Sequence, residues 1–438
     1  MIKLNVIILF LFIPIILLFG LACNDSELEV ITPKLQLSLD DVGTTESWLK
    51  VYSSTPYGKV WILRNNSIPI AVLNSPIDTI IEDIHLLPGQ TYTYNAILLN
   101  DTPEKPTATV KATMMDTVCC NYFEWELDTI STENYNWPFG VIILNDSSAF
   151  VWGKFYNNIN DTFYTVIQWN GGTWSKKVSN YGDCDSSAVT IGGFVANQDE
   201  LWFVSQIGCR TRYFNNTWLP FGTIPVPPTI PFRQLWVKNL DFMVFTPSLE
   251  SQNLEPNKII IYQSGSWSEV SVLAKNYLYS PVGGTNNRVG NNVVLFSASN
   301  TATTNYKTKI FRYQPDFNHT DEIPWEHTTK NIYSLWYNRN SELFACGDGV
   351  FMTRDGHVWE NYFADVKATC VAGDGANNVA VVGEDSFIAF YNGIRWRRYT
   401  DLPYSFPNFK TVALKDKFIL AVGNLPTGET IALRGKRR

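Results

Sequence analysis

At 438 residues, the chain is too long for one compact core, so we expect at least two domains. Hydrophobic residues make up 45% of it and aromatic residues 14%, which excludes a disordered chain and favours β-rich globular structure. The formal net charge of −7 provides no electrostatic basis for binding nucleic acid. The one basic cluster, RGKRR at the C-terminal end, is typical of a solvated terminus.

The first residues predict a targeting segment. Lys3 precedes an apolar run from Val6 to Phe19, and small residues then lead directly to Cys23. The segment resembles a bacterial lipoprotein signal, which implies that residues 1–22 are removed and that Cys23 carries a lipid anchor in the membrane. The alternative is an uncleaved transmembrane helix. Pro14 within the run and the abrupt change to polar sequence after it favour cleavage.

The stretch after Cys23, NDSELE, is acidic. It resembles the export signal that follows the lipidated cysteine in Bacteroidetes surface lipoproteins. The resemblance implies an outer-membrane lipoprotein of the cell envelope that faces outward, and without this export the protein would remain in the periplasm. Residues 23–32 are then a tether.

Residues 33–115 predict a small β-sandwich. Segments such as WLKVYS and KVWILR alternate between apolar and polar residues and are separated by polar turns. The stretch LLPGQTYTYNAIL resembles the fibronectin type III module, and this resemblance implies that Tyr92 forms a tyrosine corner. Trp61, on the predicted third strand, is assigned to the core. Such a module implies spacing or adhesion, and residues 116–121 follow it as a linker.

From residue 122 onward, one phrase recurs: an apolar strand, a polar turn and a tryptophan, as in IQWNGGTW, RYFNNTW and AFYNGIRW. Together with two more apolar strands per unit, this repeat predicts four-stranded antiparallel sheets. We interpret the tryptophans as structural anchors on the outermost strands, packed between neighbouring sheets, with ligand stacking as the alternative. They are Trp125, Trp174, Trp218, Trp267, Trp325, Trp359 and Trp396.

The ends of this region predict a closed ring. Seven inner strands can be counted, the last unit lacks a tryptophan strand, and Trp125 has no inner strands before it. We therefore predict that FEWELDTI pairs with TIALRG, which closes a seven-bladed β-propeller over residues 122–438 and removes its open edges. The hairpin TRDGHVW resembles the Asp-box of BNR and sialidase-like propellers, although Asp355 and Gly356 are adjacent here.

The loops after the second strands contain candidate ligand-binding residues. Asp348, Glu384 and Asp385 are predicted at one mouth of the channel with Arg210 nearby. The alternative is that these are solvated turn residues. Arginines are too dispersed for a sialidase site, and the four histidines lack metal-ligand spacing. No catalytic residue, metal site or cofactor is predicted.

The seven cysteines include Cys23 and the adjacent pair CC at 119–120 in the linker. Cys184 and Cys209 flank one repeat, and they could pair in an oxidising compartment. Cys346 and Cys370 lie within apolar runs, which indicates core positions.

These observations predict a non-catalytic envelope lipoprotein. Its sandwich would hold the propeller away from the membrane, where the propeller binds an envelope protein or a glycan. Two alternatives remain from other classes: a BNR-type glycoside hydrolase using paired carboxylates, and a structural or assembly factor of the envelope.

Overall fold

The computed structural model describes residues 35–437, apart from residues 44, 56, 100–104, 116–121, 134–135, 146, 158–161, 178–188, 198–199, 224–231, 240–241, 248–257, 272–277, 287–291, 300–307, 315–318, 338–341, 376, 401 and 403–406. The described elements are all strands. No helix among the described residues has the length and apolar character needed to span a bilayer. The predicted signal, Cys23, the tether and the linker lie outside the described residues.

Two sheets form the N-terminal part of the fold. One sheet has the order β1-β2-β5, with β1 (Leu35–Val42), β2 (Ser47–Ser53) and β5 (Ile77–Asp83). The other has the order β4-β3-β6-β7, with β3 (Lys59–Arg64), β4 (Ile68–Asn74), β6 (Thr91–Leu99) and β7 (Thr107–Thr113). Side chains from both sheets share one core, in which Leu49, Val60 and Tyr94 are fully buried.

The assignment of Trp61 to this core is wrong. Its side chain is 41% exposed, whereas Val60 and Ile62 on either side of it are fully buried. Because successive side chains of a strand point to opposite faces, burial of these two neighbours places Trp61 on the outer face of β3. The tryptophan buried in this part of the chain is Trp48 on β2, which is 3% exposed.

From residue 123 onward, the described residues form seven antiparallel sheets of four strands each. The first consists of β9 (Trp137–Asn145), β10 (Ser148–Asn157), β11 (Thr162–Trp169) and β12 (Trp174–Lys177); the second of β13 (Thr190–Asn197), β14 (Glu200–Ser205), β15 (Cys209–Phe214) and β16 (Thr217–Thr223); and the third of β17 (Phe232–Asn239), β18 (Phe242–Pro247), β19 (Lys258–Gln263) and β20 (Ser266–Ser271).

The remaining four sheets continue in chain order. They are the fourth with β21 (Leu278–Asn286), β22 (Asn292–Ser299), β23 (Thr308–Gln314) and β24 (His319–Ile323); the fifth with β25 (Ile332–Tyr337), β26 (Leu343–Gly347), β27 (Gly349–Thr353) and β28 (Glu360–Asn361); the sixth with β29 (Ala368–Gly373), β30 (Val379–Gly383), β31 (Ile388–Tyr391) and β32 (Trp396–Arg398); and the seventh with β33 (Asn408–Lys415), β34 (Phe418–Asn424), β35 (Thr430–Arg437) and β8 (Phe123–Ser131).

These seven sheets form a closed, propeller-like ring. The first strand of each sheet contacts the first strand of the next, and β33 of the seventh sheet contacts β9 of the first. The predicted closing pair is confirmed, since β8 lies antiparallel to β35 from Phe123 opposite Arg437 to Ser131 opposite Thr430. Apolar side chains fill the spaces between neighbouring sheets, so that one cluster joins the first sheet to the seventh.

The recurring tryptophans pack across these spaces. The ring centroid of Trp218 lies 6.1 Å from that of Phe150 in the first sheet, and that of Trp396 lies 6.1 Å from Phe344 in the fifth. Trp325 and Trp359, whose centroids are 5.1 Å apart, pack at a right angle where the fourth and fifth sheets meet. These contacts are those expected of structural anchors.

Two of the tryptophans do not lie on an outermost strand as predicted. Trp325 follows β24, which ends at Ile323 because Pro324 has no N–H to donate to the sheet. Trp359 lies directly before the short strand β28. Its indole N–H donates to the Pro324 carbonyl at 2.7 Å, so a hydrogen bond holds it in place of a strand pairing.

The described polar turns before five of the tryptophans take one of two forms. Asn215 and Asn216 have positive φ angles of 48° and 61°, which short polar side chains tolerate in a tight hairpin. Asn170 and Asp355 instead accept backbone N–H groups with Oδ1, at 2.9 Å from Thr173 N and 2.8 Å from His357 N. The Asx residue thus closes the turn through its side chain.

The ring has two faces. The mouth face carries the loops between second and third strands and the crossings between sheets, and the hairpin face carries the other two hairpins of each sheet. The N-terminal sandwich contacts the hairpin face at the turn between β29 and β30: Asn377 Nδ2 donates to Met115 Sδ at 3.7 Å, and Gly375 lies beside Trp48. The mouth face of the ring is therefore turned away from this contact.

The three described cysteines follow two patterns. Cys209 is disulfide-bonded, and its partner lies outside the described residues, so pairing with Cys184 remains a prediction. Cys346 and Cys370 are free thiols. They belong to the apolar layers beside β29, as predicted, and burial raises the pKa of both thiols.

Candidate functional site

The first strands of six sheets carry a β-bulge close to the mouth face. In each, one residue has no partner on the second strand. A bulge redirects a side chain, and bulges are common beside binding sites. The bulged residues are Phe139, Ile191, Arg233, Tyr333, Thr369 and Lys410.

A glycine on the second strand lies beside several of these bulges. A Cβ placed on Gly347 would be 1.8 Å from the carbonyl oxygen of Asn331, and one on Gly383 would be 2.1 Å from that of Lys367. Only glycine permits the crossing to pass so close to the sheet. The glycines that allow this close approach end the recurring sequences VWG, ACG, VVG and AVG.

An exposed aromatic group lies at the first of the bulges, and sequence analysis missed it. We call it the mouth patch: Trp137, Phe139, Lys154, Tyr156 and Phe163. Trp137, Phe139 and Phe163 are 54%, 52% and 38% exposed. The Lys154 ammonium lies 4.0 Å from the ring centroid of Phe163 and 6.0 Å from that of Trp137, and the Tyr156 ring lies beside Phe163. The aromatic pair in WPFG, at the start of an inner strand, was the available signal.

The predicted carboxylates do lie on the mouth face, in the second-to-third-strand loops of neighbouring sheets. Asp348 Oδ2 accepts hydrogen bonds from the backbone N and the Nδ2 of Asn331, at 3.0 and 2.8 Å. Glu384 lies 3.6 Å from the Lys367 ammonium. Asp348 thus ties a crossing to its sheet, which favours the alternative interpretation as a turn residue.

Tyr333, at the bulge of the fifth sheet, lies among these groups. It is 45% exposed. Partial burial raises its pKa, and the nearby carboxylates of Asp348 and Glu384 raise it further. Lys367 opposes this effect. The fifth and sixth sheets therefore present a phenol among charged side chains at the mouth.

Asp385 lies in the same loop as Glu384, whereas Arg210 lies on another part of the ring. Asp385 is an exposed turn residue with a φ of 53°, and its backbone N–H donates to Asn408 Oδ1 at 3.1 Å. Arg210 is the second residue of β15, the third strand of the second sheet. Two sheets separate it from the carboxylates in either direction around the ring, so the expectation that it lies near them is wrong. The order of sheets in a closed ring determines which loops adjoin, and a list of loops does not reveal it.

Described residues line two clefts between sheets. One of ≈ 330 Å³ follows the closing seam, where Arg434 is bound to Glu126 and Asp128 and lies over the Trp169 ring. The other, of ≈ 650 Å³, lies on the hairpin face between the first and second sheets and is lined mainly by amides and hydroxyls. Within the described residues, no group of three or more His, Cys, Asp or Glu side chains could hold a metal ion.

The closed ring of antiparallel sheets makes this chain an all-β protein with a propeller-like fold. Similar solved structures include YCF48 bound to D1 peptide (16% identity, TM-score 0.47, covering 72% of this chain and 97% of that chain). YCF48 from Cyanidioschyzon merolae is similar at 11% identity and a TM-score of 0.49, covering 71% and 98%. Puromycin hydrolase is similar at 11% identity and a TM-score of 0.48, covering 68% and 51%. No protein-family model and no curated protein sequence matches the chain.

Proposed function

We propose that this chain is a non-catalytic lipoprotein of the cell envelope, in which a fibronectin type III-like sandwich carries a seven-bladed β-propeller whose mouth face binds a partner protein. The seven sheets and the β8–β35 pairing support the propeller. The strand orders of the two N-terminal sheets support the sandwich. So does Tyr92, whose hydroxyl accepts the Leu87 backbone N–H at 2.9 Å, a tyrosine-corner contact.

The anchor rests on the sequence around Cys23 alone. Cys23→Ser removes the sulfur that would be acylated. We expect the variant to leave the membrane fraction and appear in the soluble fraction, measured by fractionation and immunoblot. Retention in the membrane would instead favour the transmembrane alternative.

The mouth patch is the observation that supports binding of a partner. Trp137 and Phe139, two positions apart on β9, each expose about half of a large apolar side chain. Burying such a side chain contributes about 1.5–3 kcal/mol, and aromatic side chains are enriched at the centres of protein interfaces. A partner that covers such a patch therefore lowers the free energy of the complex.

The chemistry of the patch favours a protein segment over a glycan. A sugar would stack on the open faces of aromatic rings, but the ammonium of Lys154 already lies over the Phe163 ring at 4.0 Å. The same ammonium gives the patch a positive charge beside its apolar surface. The partner we expect is a segment that combines apolar and acidic side chains.

The arrangement of the sandwich supports this orientation. It contacts the hairpin face through Met115 and Trp48, and the tether that would lead to the lipid precedes the sandwich. The mouth face is thus the side of the ring left accessible to a partner. The binding of Asp348 to Asn331 supports the non-catalytic part of the proposal, because that carboxylate is engaged in holding a crossing.

Site-specific photo-crosslinking in intact envelopes tests the proposal. A benzophenone amino acid replaces Phe139 at the mouth, and in the control it replaces Trp61, which is similarly exposed at 41% on the sandwich. We expect a discrete protein adduct from position 139 that is absent from position 61. Equal adducts at both positions, no adduct at 139, or an adduct whose added mass a glycosidase removes would overturn it.

A further inference from the structure

The cleft of ≈ 650 Å³ on the hairpin face is a second candidate binding site, separate from the mouth patch. Three hairpins form it: those between β9 and β10, β11 and β12, and β15 and β16. Its volume lies within the range of small-molecule sites. Its polar lining includes Asn145, Gln168, Asn170, Lys177, Tyr213 and Asn216.

The asparagines of the cleft are oriented by their own turns. Oδ1 of Asn145 accepts the Ser147 backbone N–H at 3.0 Å, and Oδ1 of Asn170 accepts that of Thr173 at 2.9 Å. Each carboxamide oxygen is therefore engaged in its turn. Within the described part of the chain, the Nδ2 groups of both residues make no hydrogen bond.

A partly buried network of hydrogen bonds orients Asn216. Gln168 Nε2 donates to the Tyr213 hydroxyl at 2.7 Å, and that hydroxyl donates to Asn216 Oδ1 at 2.9 Å. Gln168 and Tyr213 are 9% and 3% exposed, so packing fixes the two residues that position Asn216. The network leaves the Nδ2 of Asn216 as a donor, like those of Asn145 and Asn170.

The described lining residues of the site are thus rich in hydrogen-bond donors and include one positive charge. The Nδ2 groups of Asn145, Asn170 and Asn216 are among the donors that line it, together with the Lys177 ammonium, and no carboxylate is among its described lining residues. Donors held in place before binding lose little entropy when a ligand with many acceptors arrives. Hydroxyl and ring oxygens of a sugar are such acceptors, and a carboxylate on the sugar would pair with Lys177.

We propose that this cleft binds an acidic saccharide. The carboxamide nitrogens donate to its oxygens, and Lys177 pairs with its carboxylate. The proposal does not depend on the mouth patch, because no residue belongs to both sites.

The test exploits the turns themselves. Asn170→Asp keeps the Oδ1 that closes the turn but replaces the donating NH2 with an acidic oxygen. The chain tolerates this exchange, since Asp355 closes the corresponding turn of the fifth sheet with its Oδ1. The matched control is Asn65→Asp, on an exposed turn of the sandwich where Oδ1 accepts the Thr93 N–H at 3.0 Å.

Glucuronic acid, glucose and acetate are titrated into the purified full chain in a zwitterionic detergent, with calorimetry as the readout. We expect glucuronic acid to bind more tightly than glucose, and acetate more weakly than both. Asn170→Asp should weaken the binding of glucuronic acid at least about tenfold, which corresponds to about 1.4 kcal/mol. Asn65→Asp should leave that binding unchanged.

A second pair of variants tests the charge. Lys177→Met should lower the affinity for glucuronic acid to that for glucose and should leave the affinity for glucose unchanged. Lys176→Met, on the opposite side of the same strand and exposed, should change neither. Acetate binding as tightly as glucuronic acid would mean a simple anion site. That result, no binding of either sugar to the unaltered chain, or equal losses in a variant and its control would overturn the proposal.

Discussion

Replacing Arg434 by Met and Asp128 by Asn, singly and together, tests whether the ring closes through the N-terminal strand. The two residues are 306 positions apart, yet Arg434 Nε lies 2.6 Å and Nη2 3.2 Å from the oxygens of Asp128. Their side chains are only 19% and 25% exposed. An energetic coupling between them exists only if β8 pairs with β35.

The geometry sets the size of the coupling. Unit charges about 3 Å apart attract by roughly 5 kcal/mol at an effective dielectric constant of about 20. Desolvation and loss of side-chain freedom offset more than half of this, so we expect a coupling of about 2 kcal/mol. Glu126, the other partner of Arg434, is 70% exposed and contributes much less. Asn at position 128 still accepts the indole N–H of Trp174, which isolates the ion pair.

The assay is urea unfolding of the four proteins followed by tryptophan fluorescence, analysed as a double-mutant cycle. The control cycle uses Lys50 and Asp78 on the sandwich, 3.7 Å apart but 52% and 62% exposed, for which we expect a coupling below about 0.5 kcal/mol. If the Arg434–Asp128 coupling is no larger than that of this control pair, the closing strand pairs elsewhere and the ring argument fails.

Three further predictions concern turns and packing. Hydrogen bonds from the Val358 and His357 backbone N–H groups and the Thr353 hydroxyl lower the pKa of Asp355 from 3.8 to about 2. The stabilisation that the ionised Asp355 gives is therefore complete above about pH 4 and is lost as the pH falls towards 2. A carboxyl NMR titration and acid unfolding would both detect this loss, and a pKa near 4 would contradict the turn geometry. Gly383→Ala would place a Cβ 2.1 Å from a carbonyl oxygen and should lower the free energy of unfolding by about 3 kcal/mol. Gly172→Ala, at a position with open space around it, should change the free energy of unfolding very little. Urea titrations of both variants measure the difference, and similar midpoints would contradict the close crossing. Trp48→Ala should lower the free energy of unfolding by about 3–5 kcal/mol and Trp61→Ala by less than about 1 kcal/mol, because the first side chain is 3% and the second 41% exposed. Calorimetric melting compares the two variants. A larger loss for Trp61→Ala would show that Trp61, and not Trp48, is the core tryptophan.

Local patterns predicted much of the fold. The phrase IQWNGGTW specifies a strand, an Asn-closed turn and a tryptophan, all within a few residues, and the structure has each of them. The pairing of FEWELDTI with TIALRG followed from counting strands, because an unpaired outer strand at one end matches a missing one at the other. The prediction for Trp61 was wrong because alternation along a strand defines two faces but does not show which of them is buried.

The candidate sites were harder to predict. Asp348 and Glu384 were placed correctly on one face, but Arg210 was not near them, because adjacency around a ring depends on which sheets are neighbours. The mouth patch depends on a bulge that redirects Phe139, and no single residue type marks a bulge. The asparagines of the cleft read in sequence as ordinary turn residues. Their spare donors converge only because hairpins of two sheets lie side by side.

The sequence by itself determined the repeating unit, its turns, its tryptophans and the strand that completes the ring, because these features depend on side chains within a few residues or on a count of strands. Only the tertiary structure decided which polar and aromatic groups face a common space. The reason is physical: hydrogen bonding and burial at a site depend on distances between separate sheets, and those distances arise from packing the whole ring.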